Sequence, residues 1–242
     1  MSKILFDKSY VIVIPSYNYT ETQIHSHSML HLFWGSNLEI RSNEMNISGD
    51  IICVNSGVVH ECLRGDTYGL LLIDPASKLA DMIANMYFVD KGIVGFSKQL
   101  KLIRLEEKTE AEVFSYVEDL LVELRLSDKN NEQLDPEMES LVSKIKEYQF
   151  IGKRVTDVAS SMHYSESYLS HTFKEKVGCS LKNYLMICQF EYVWKAVIRG
   201  KSITEAAMEA GYSSPSHFSS TCKQMTGTSI TQVSPLIITA DF

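Results

Sequence analysis

One supersecondary unit is written twice in this sequence, and that repeat constrains the fold more than any other feature. The first copy runs Val155-Thr156-Asp157-Val158-Ala159, then Tyr164-Ser165, then Tyr168-Leu169-Ser170-His171-Thr172-Phe173-Lys174, then Gly178-Cys179-Ser180. The second runs Ile203-Thr204-Glu205-Ala206-Ala207, then Tyr212-Ser213, then His217-Phe218-Ser219-Ser220-Thr221-Cys222-Lys223, then Gly227-Thr228-Ser229. The copies are offset by 48 residues before the turn and 49 after it, a one-residue slip. Each reads as a short helix (155–162 or 203–210) with a small alanine, Ala159 or Ala207, where a second helix can approach closely. A tight turn follows, Gly211-Tyr212-Ser213 in the second copy, and Ser165 and Ser213 are placed to cap the helices after it. Those helices bury Leu169 and Phe173 in one copy and Phe218 in the other, and turn small polar and basic groups outward. That is a helix-turn-helix, whose second helix can enter a major groove. A helical solenoid has repeats of similar length, but two copies are too few to stack stably and a solenoid has no need of a Gly-Tyr-Ser turn.

Net charge is −7, which by itself speaks against nucleic acid. The charge is unevenly spread. Residues 1–135 hold 12 Lys+Arg against 20 Asp+Glu, while residues 136–242 hold 11 against 10, a net of +1. The acidity therefore belongs to the first part and leaves the repeat region near neutral. No apolar run reaches the length of a membrane-spanning helix, and the first residues lack the basic and apolar regions of a signal peptide, so a cytoplasmic chain is expected. The five cysteines (Cys53, Cys62, Cys179, Cys188, Cys222) form no C-x-x-C pair and read as reduced core residues.

The first part reads as short strands: residues 10–14 before Pro15, then 29–34, 50–54 and 68–73, rich in Val, Ile, Leu and aromatics. Turn-rich segments at 35–37, 46–50 and 55–57 separate them, which suggests a small barrel or sandwich. A helical period then takes over. Thr109 with Glu112 reads as a capping box, and Val113, Val117, Leu120, Leu121 and Leu124 fall on one stripe behind it. That stripe serves either as core against the strands or as a dimer-forming face, since the opposite side is strongly charged. Residues 127–136 are polar, lack apolar periodicity and end in Asp135-Pro136, which starts a helix well. The boundary is placed there, giving a domain of residues 1–135 and a helical domain of residues 136–242.

The segment 168–174, Gly178, Tyr184-Leu185 and Ser202-Ile203-x-Glu205-x-Ala207-x-x-x-Gly211-Tyr212 resemble the AraC family of bacterial transcription regulators. The resemblance spans roughly residues 138–233, and within the family Gly211 to Ser220 is similar to virulence regulators of type III secretion genes. It implies an activator with one recognition helix in each of two adjacent major-groove segments of double-stranded DNA. It places Ser167, Ser170, His171, Ser216, His217 and Ser220 toward bases, and Lys174, Lys176, Lys182 and Lys223 near phosphates. Family members commonly carry arginine where this chain has His171, Ser220 and Gln189. Arginine makes the strongest guanine contact, about 1–3 kcal/mol of discrimination. A near-neutral domain without it implies weak binding by a lone chain, with a homodimer, a ligand, or a coactivator protein and RNA polymerase as the implied partners.

His25-x-His27-x-x-x-His31 and Gly49-x5-Asn55-x-Gly57-x-x-His60 resemble the two motifs of a cupin barrel, with His31 at the usual carboxylate position. Alternation along a strand would point His25, His27 and His31 to one face. The resemblance implies an α+β chain: a cupin-like β-barrel with helices, then an all-α domain with two helix-turn-helix units. The four histidines can hold a divalent metal, line a pocket for a small organic effector, or be structural. No phosphate loop, Ser/His/Asp set or paired carboxylates accompany them. A sequence-specific DNA-binding regulator, not an enzyme, is therefore expected. The alternatives are a metal-dependent cupin enzyme with a helical appendage and a regulator acting only through protein partners.

Overall fold

The computed structural model describes residues 3–15, 25–43, 45–88, 92–126, 134–226 and 237–239. The chain divides into two compact units, residues 1–132 with 224–242, and residues 133–223. The architecture is α+β, with the sheet in the first unit and most of the helices in the second.

Among the described residues the first unit has eight strands: β1 (Lys3–Phe6), β2 (Tyr10–Ile14), β3 (His25–Ser26), β4 (Leu30–Ser42), β5 (Met45–Val54), β6 (Val59–Ile73), β7 (Ile93–Phe96) and β8 (Ile237–Thr239). Their order is β7-β5-β4-β6-β2-β1-β8, with β3 paired to β6 off this path. The path is open. No ladder among the described residues joins β7 to β8, so the expected closed barrel is a sheet with two ends. All pairings are antiparallel except β8 on β1, which carries the last described residues back to the first unit instead of extending the helices.

The four expected strands are present, but β4, β5 and β6 are longer than their apolar runs. Residues 35–37, read as a turn, lie inside β4, where a register shift between Trp34 and Leu38 and a positive φ of 51° at Asn37 absorb the irregularity. Residues 46–50, also read as a turn, lie inside β5. Gly49 is needed there for a close approach: a Cβ would stand 2.8 Å from the Phe96 backbone on β7. The turn at 55–57 is a turn, with Gly57 at φ 76°.

Helix α1 (Lys78–Tyr87), capped by Ser77, and helix α2 (Glu110–Glu123) pack on one face of the sheet. The capping box of α2 is present: Glu112 N–H donates to the Thr109 hydroxyl, and Thr109 N–H donates to the Glu112 carboxylate at 2.8 Å. Val113, Val117, Leu120, Leu121 and Leu124 are all buried, in one core with Leu32, Trp34, Leu71 and Ile83. Of the two roles open to that stripe, its own chain fills the first. These five side chains are covered by the sheet and are not a dimer-forming face.

Residues 127–133 of the expected linker lie outside the described residues. After them, Asp135 caps α3 (Pro136–Lys146), accepting the Met138 N–H at 3.0 Å, with Pro136 as first helical residue. The second unit continues with α4 (Val155–Ser161), α5 (Glu166–Val177), α6 (Leu181–Ile198), α7 (Ile203–Glu209) and α8 (Pro215–Thr226). All five cysteines are buried and unbridged. None of the described helices is long and apolar enough to cross a membrane.

Candidate nucleic-acid interface and histidine cluster

The two expected helix-turn-helix pairs are α4–α5 and α7–α8. Ala159 and Ala207 are 1% and 0% exposed, so each first helix meets its neighbours through a methyl group. Ser165 caps α5, accepting the Tyr168 N–H, and Gly178 ends the helix in the left-handed region. In the second pair Ser214, not Ser213, caps the second helix: its hydroxyl accepts the His217 N–H at 3.1 Å. The Ser213 hydroxyl instead meets His217 Nδ1 at 3.1 Å.

Helix α6 joins the pairs. Eighteen residues make a rod of about 27 Å. Phe173 of α5 rests on its Tyr184, and Phe218 of α8 on its Phe190 and Trp194. Gln189 of the same helix donates to the Ala210 carbonyl at 2.7 Å, just before the α7–α8 turn. The backbones of Gly152 and Gly211 also meet there. Both have positive φ, and a Cβ on Gly211 would lie 2.7 Å from the Gly152 Cα. Gln189 thus acts inside the unit.

The residues expected at DNA lie on the outward faces. On α5, Ser167, Ser170, His171 and Lys174 follow i, i+3, i+4, i+7 spacing and form one stripe, opposite the buried Leu169, Phe173 and Val177. On α8, Ser216, Ser220 and Lys223 form the matching stripe with His217 beside it, opposite buried Phe218 and Cys222. Ser170 is half-buried, and the other five base-facing candidates are exposed. Lys174, Lys176, Lys182 and Lys223 are exposed as well. Two acids temper this face: Glu175 lies 3.9 Å from His171, and Asp135 lies 3.8 Å from Lys176. Two exposed neighbours were missed in the sequence. Tyr168, 53% exposed, lies against Tyr164 with the rings tilted and their centroids 4.9 Å apart, and Arg154 stands exposed at the start of α4. The aromatic three residues after the capping Ser165 is the sequence signal that marks Tyr168.

In the first unit the four histidines converge, though not by alternation along one strand. His25 is on β3, His27 lies between strands, His31 is on β4 and His60 is on β6. His25 and His60 are direct cross-strand partners, with ring centroids 4.5 Å apart. His31 lies 4.8 Å from His60 and 5.3 Å from His27, and stacks on Phe33. One nitrogen from each of His25, His31 and His60 falls within 4.8 Å of the others.

Hydrogen bonds fix two of the tautomers. His60 Nδ1 lies 2.9 Å from the Val58 carbonyl, which only accepts, so Nδ1 carries the proton and Nε2 a lone pair. His27 Nδ1 accepts the Met29 N–H at 2.9 Å, so its proton is on Nε2. Burial, reinforced by neighbouring rings, lowers His27 to about 3 and holds His31 well below the ordinary 6.5. Burial likewise lowers His60 to about 4, against the opposing Val58 hydrogen bond. All three rings are neutral at physiological pH.

Residues 158–234 match a family model described as a helix-turn-helix domain. Among solved structures, the chain is similar to the apo form of a ToxT point variant from Vibrio cholerae: TM-score 0.57 and 12% identity, over 94% of this chain and 97% of that one. It is also similar to unsaturated fatty acid bound wild-type ToxT from Vibrio cholerae, with TM-score 0.53 and 15% identity over 94% and 95% of the two chains. At such identities the likeness is one of fold. No curated protein sequence matches the chain.

Proposed function

Because residues 158–234 are a helix-turn-helix domain of the AraC type on a chain with the two-part α+β fold of ToxT, we propose that this protein is a sequence-specific transcription regulator of the cytoplasm that activates promoters. The observation that carries the reading is the pair of outward stripes on α5 and α8, held on one rod by Phe173, Phe218 and Gln189. Ser167, Ser170 and His171 face bases from the first helix, and Ser216, His217 and Ser220 from the second. The four lysines at 174, 176, 182 and 223 set the register on phosphates. Serine and histidine make fewer and weaker base contacts than arginine, so a lone chain binds weakly. Tight binding comes from a homodimer or from contacts with a coactivator and RNA polymerase, and the first unit controls it through an effector. The protein acts by binding, not catalysis.

Selection of genomic fragments by the full chain tests the proposal. Enrichment of particular sequences supports it, with loss of that preference in a His171→Ala, His217→Ala double variant. Uniform retention of all fragments, or of none at low salt, contradicts it.

A further inference from the structure

We infer that His25, His31 and His60 form a three-histidine site for one divalent transition-metal ion, and that His27 is not among its ligands. The donors come from three strands whose pairing brings them together, with nitrogens within 4.8 Å of one another. Two polar atoms in the cluster are buried without a hydrogen-bond partner, His31 Nδ1 and His60 Nε2. Both rings are 2% exposed. A buried, unsatisfied ring nitrogen is costly, and two at one spot have a common explanation in a shared ion. His60 is also braced as a ligand is: the Val58 carbonyl holds its Nδ1 proton and aims the Nε2 lone pair away from it. His27 is held the other way round. With Nδ1 occupied by the Met29 N–H, its remaining ring nitrogen bears a proton and offers no lone pair.

Ligands at about 2.0–2.1 Å stand roughly 3.3 Å apart in a tetrahedral site, so nitrogens no more than 4.8 Å apart close by up to about 1.5 Å on binding. Imidazole donors suit zinc, nickel, copper or iron, and exclude the oxygen-seeking magnesium and calcium. Three neutral ligands leave the ion its full charge and an open position. Were the ion zinc, a water in that position would ionise near neutral pH and offset one of its charges. The site is independent of the DNA-binding reading, and the failure of one leaves the other standing.

The test uses the full chain, stripped with a chelator and titrated near neutral pH with Co2+, then with Zn2+. One Co2+ per chain is expected, with the intense visible bands of a four-coordinate ion that zinc then abolishes. His25→Asn and His60→Asn should each lose stoichiometric binding, the first being the milder change because His25 is only partly buried. In His27→Asn the new amide oxygen can still accept the Met29 N–H. It should keep one ion per chain, weakened by no more than about 10–100-fold. Circular dichroism of each variant confirms its fold. Failure of the unaltered chain to take up Co2+ overturns the site, and so does a folded His25→Asn that keeps its ion and bands. A folded His27→Asn that loses the ion as completely as His60→Asn overturns the exclusion of His27.

Discussion

Replacing Gly211 with alanine should destabilise the second unit far more than the same change at Gly178, although both glycines have similar backbones. Gly178 has φ +77° and nothing within 4 Å of the added methyl. Gly211 has φ +86°, with the Gly152 Cα 2.7 Å and the Gly152 nitrogen 3.5 Å from the added methyl. The left-handed conformation costs an alanine roughly 1–2 kcal/mol at either site. At Gly211 the obstacle is backbone, which cannot rotate away, so an overpacking cost of about 1–3 kcal/mol adds to the strain. Gly152→Ala is intermediate, at φ +67° with its nearest neighbour, the Gly211 Cα, at 3.3 Å. The expected losses are about 1–2 kcal/mol for Gly178→Ala and about 2–5 kcal/mol for Gly211→Ala, out of a typical total of about 5–15. Urea unfolding followed by helical ellipticity measures them. The physical consequence extends to function, because the Gly152–Gly211 contact and the Gln189–Ala210 bond fix the α7–α8 turn. Equal losses at Gly178 and Gly211 would refute the steric reasoning and reduce the effect to backbone strain alone.

Other outcomes follow from the same geometry. Leu121→Lys puts a charge into the core between α2 and the sheet, and should unfold the first unit at a cost above the roughly 2–5 kcal/mol of a Leu→Ala change. A folded, soluble monomer seen by sedimentation would instead return that stripe to an interface role. The Glu112 carboxyl is lowered from 4.5 to about 2, chiefly by the Thr109 N–H. Its cap is therefore fully present above about pH 4.5 and is lost as pH falls toward 2, and Thr109→Ala, which keeps the N–H but removes the hydroxyl's hydrogen bond, should move the titration only part of the way back up in a carboxyl NMR experiment. His171→Arg and Ser220→Arg should each tighten binding to sites with guanine opposite, by roughly 10-fold or more. Unchanged affinity on a selected guanine-containing site would show that these positions do not face bases.

Much of the second unit was legible because its signals are local. Asp135-Pro136 and Ser165 each state where a helix begins, as Thr109 with Glu112 does in the first unit, and each does so in the structure. The small alanines 159 and 207 announced close packing through their size alone. The cap of α8 was misassigned because Ser213 and Ser214 are equally good acceptors. The deciding clue was Pro215, which as first helical residue makes its predecessor the cap. The sheet was harder. Gly49 marks not a turn but the place where β7 comes close, and β8 finds β1 across most of the chain; neither follows from a local pattern. The histidine spacing suggested that the four rings belong together, and they do converge. Strand alternation nevertheless gave the wrong geometry, since the chain turns between His25 and His31, and only the Met29 hydrogen bond separates His27 from the rest.

The central claim is that two serine- and histidine-bearing helices read DNA while lysines hold its phosphates. The most direct measurement is the affinity of the full chain for its best-enriched genomic fragment across a salt series. Each phosphate contact contributes about −0.9 to the slope of log affinity against log salt. The four lysines therefore predict a slope of about −3 to −4 per bound chain, and about −7 for a pair, with Lys174→Gln flattening it by roughly one unit per chain. A flat response to salt, or binding that Lys174→Gln and Lys223→Gln leave untouched, would contradict the proposed interface.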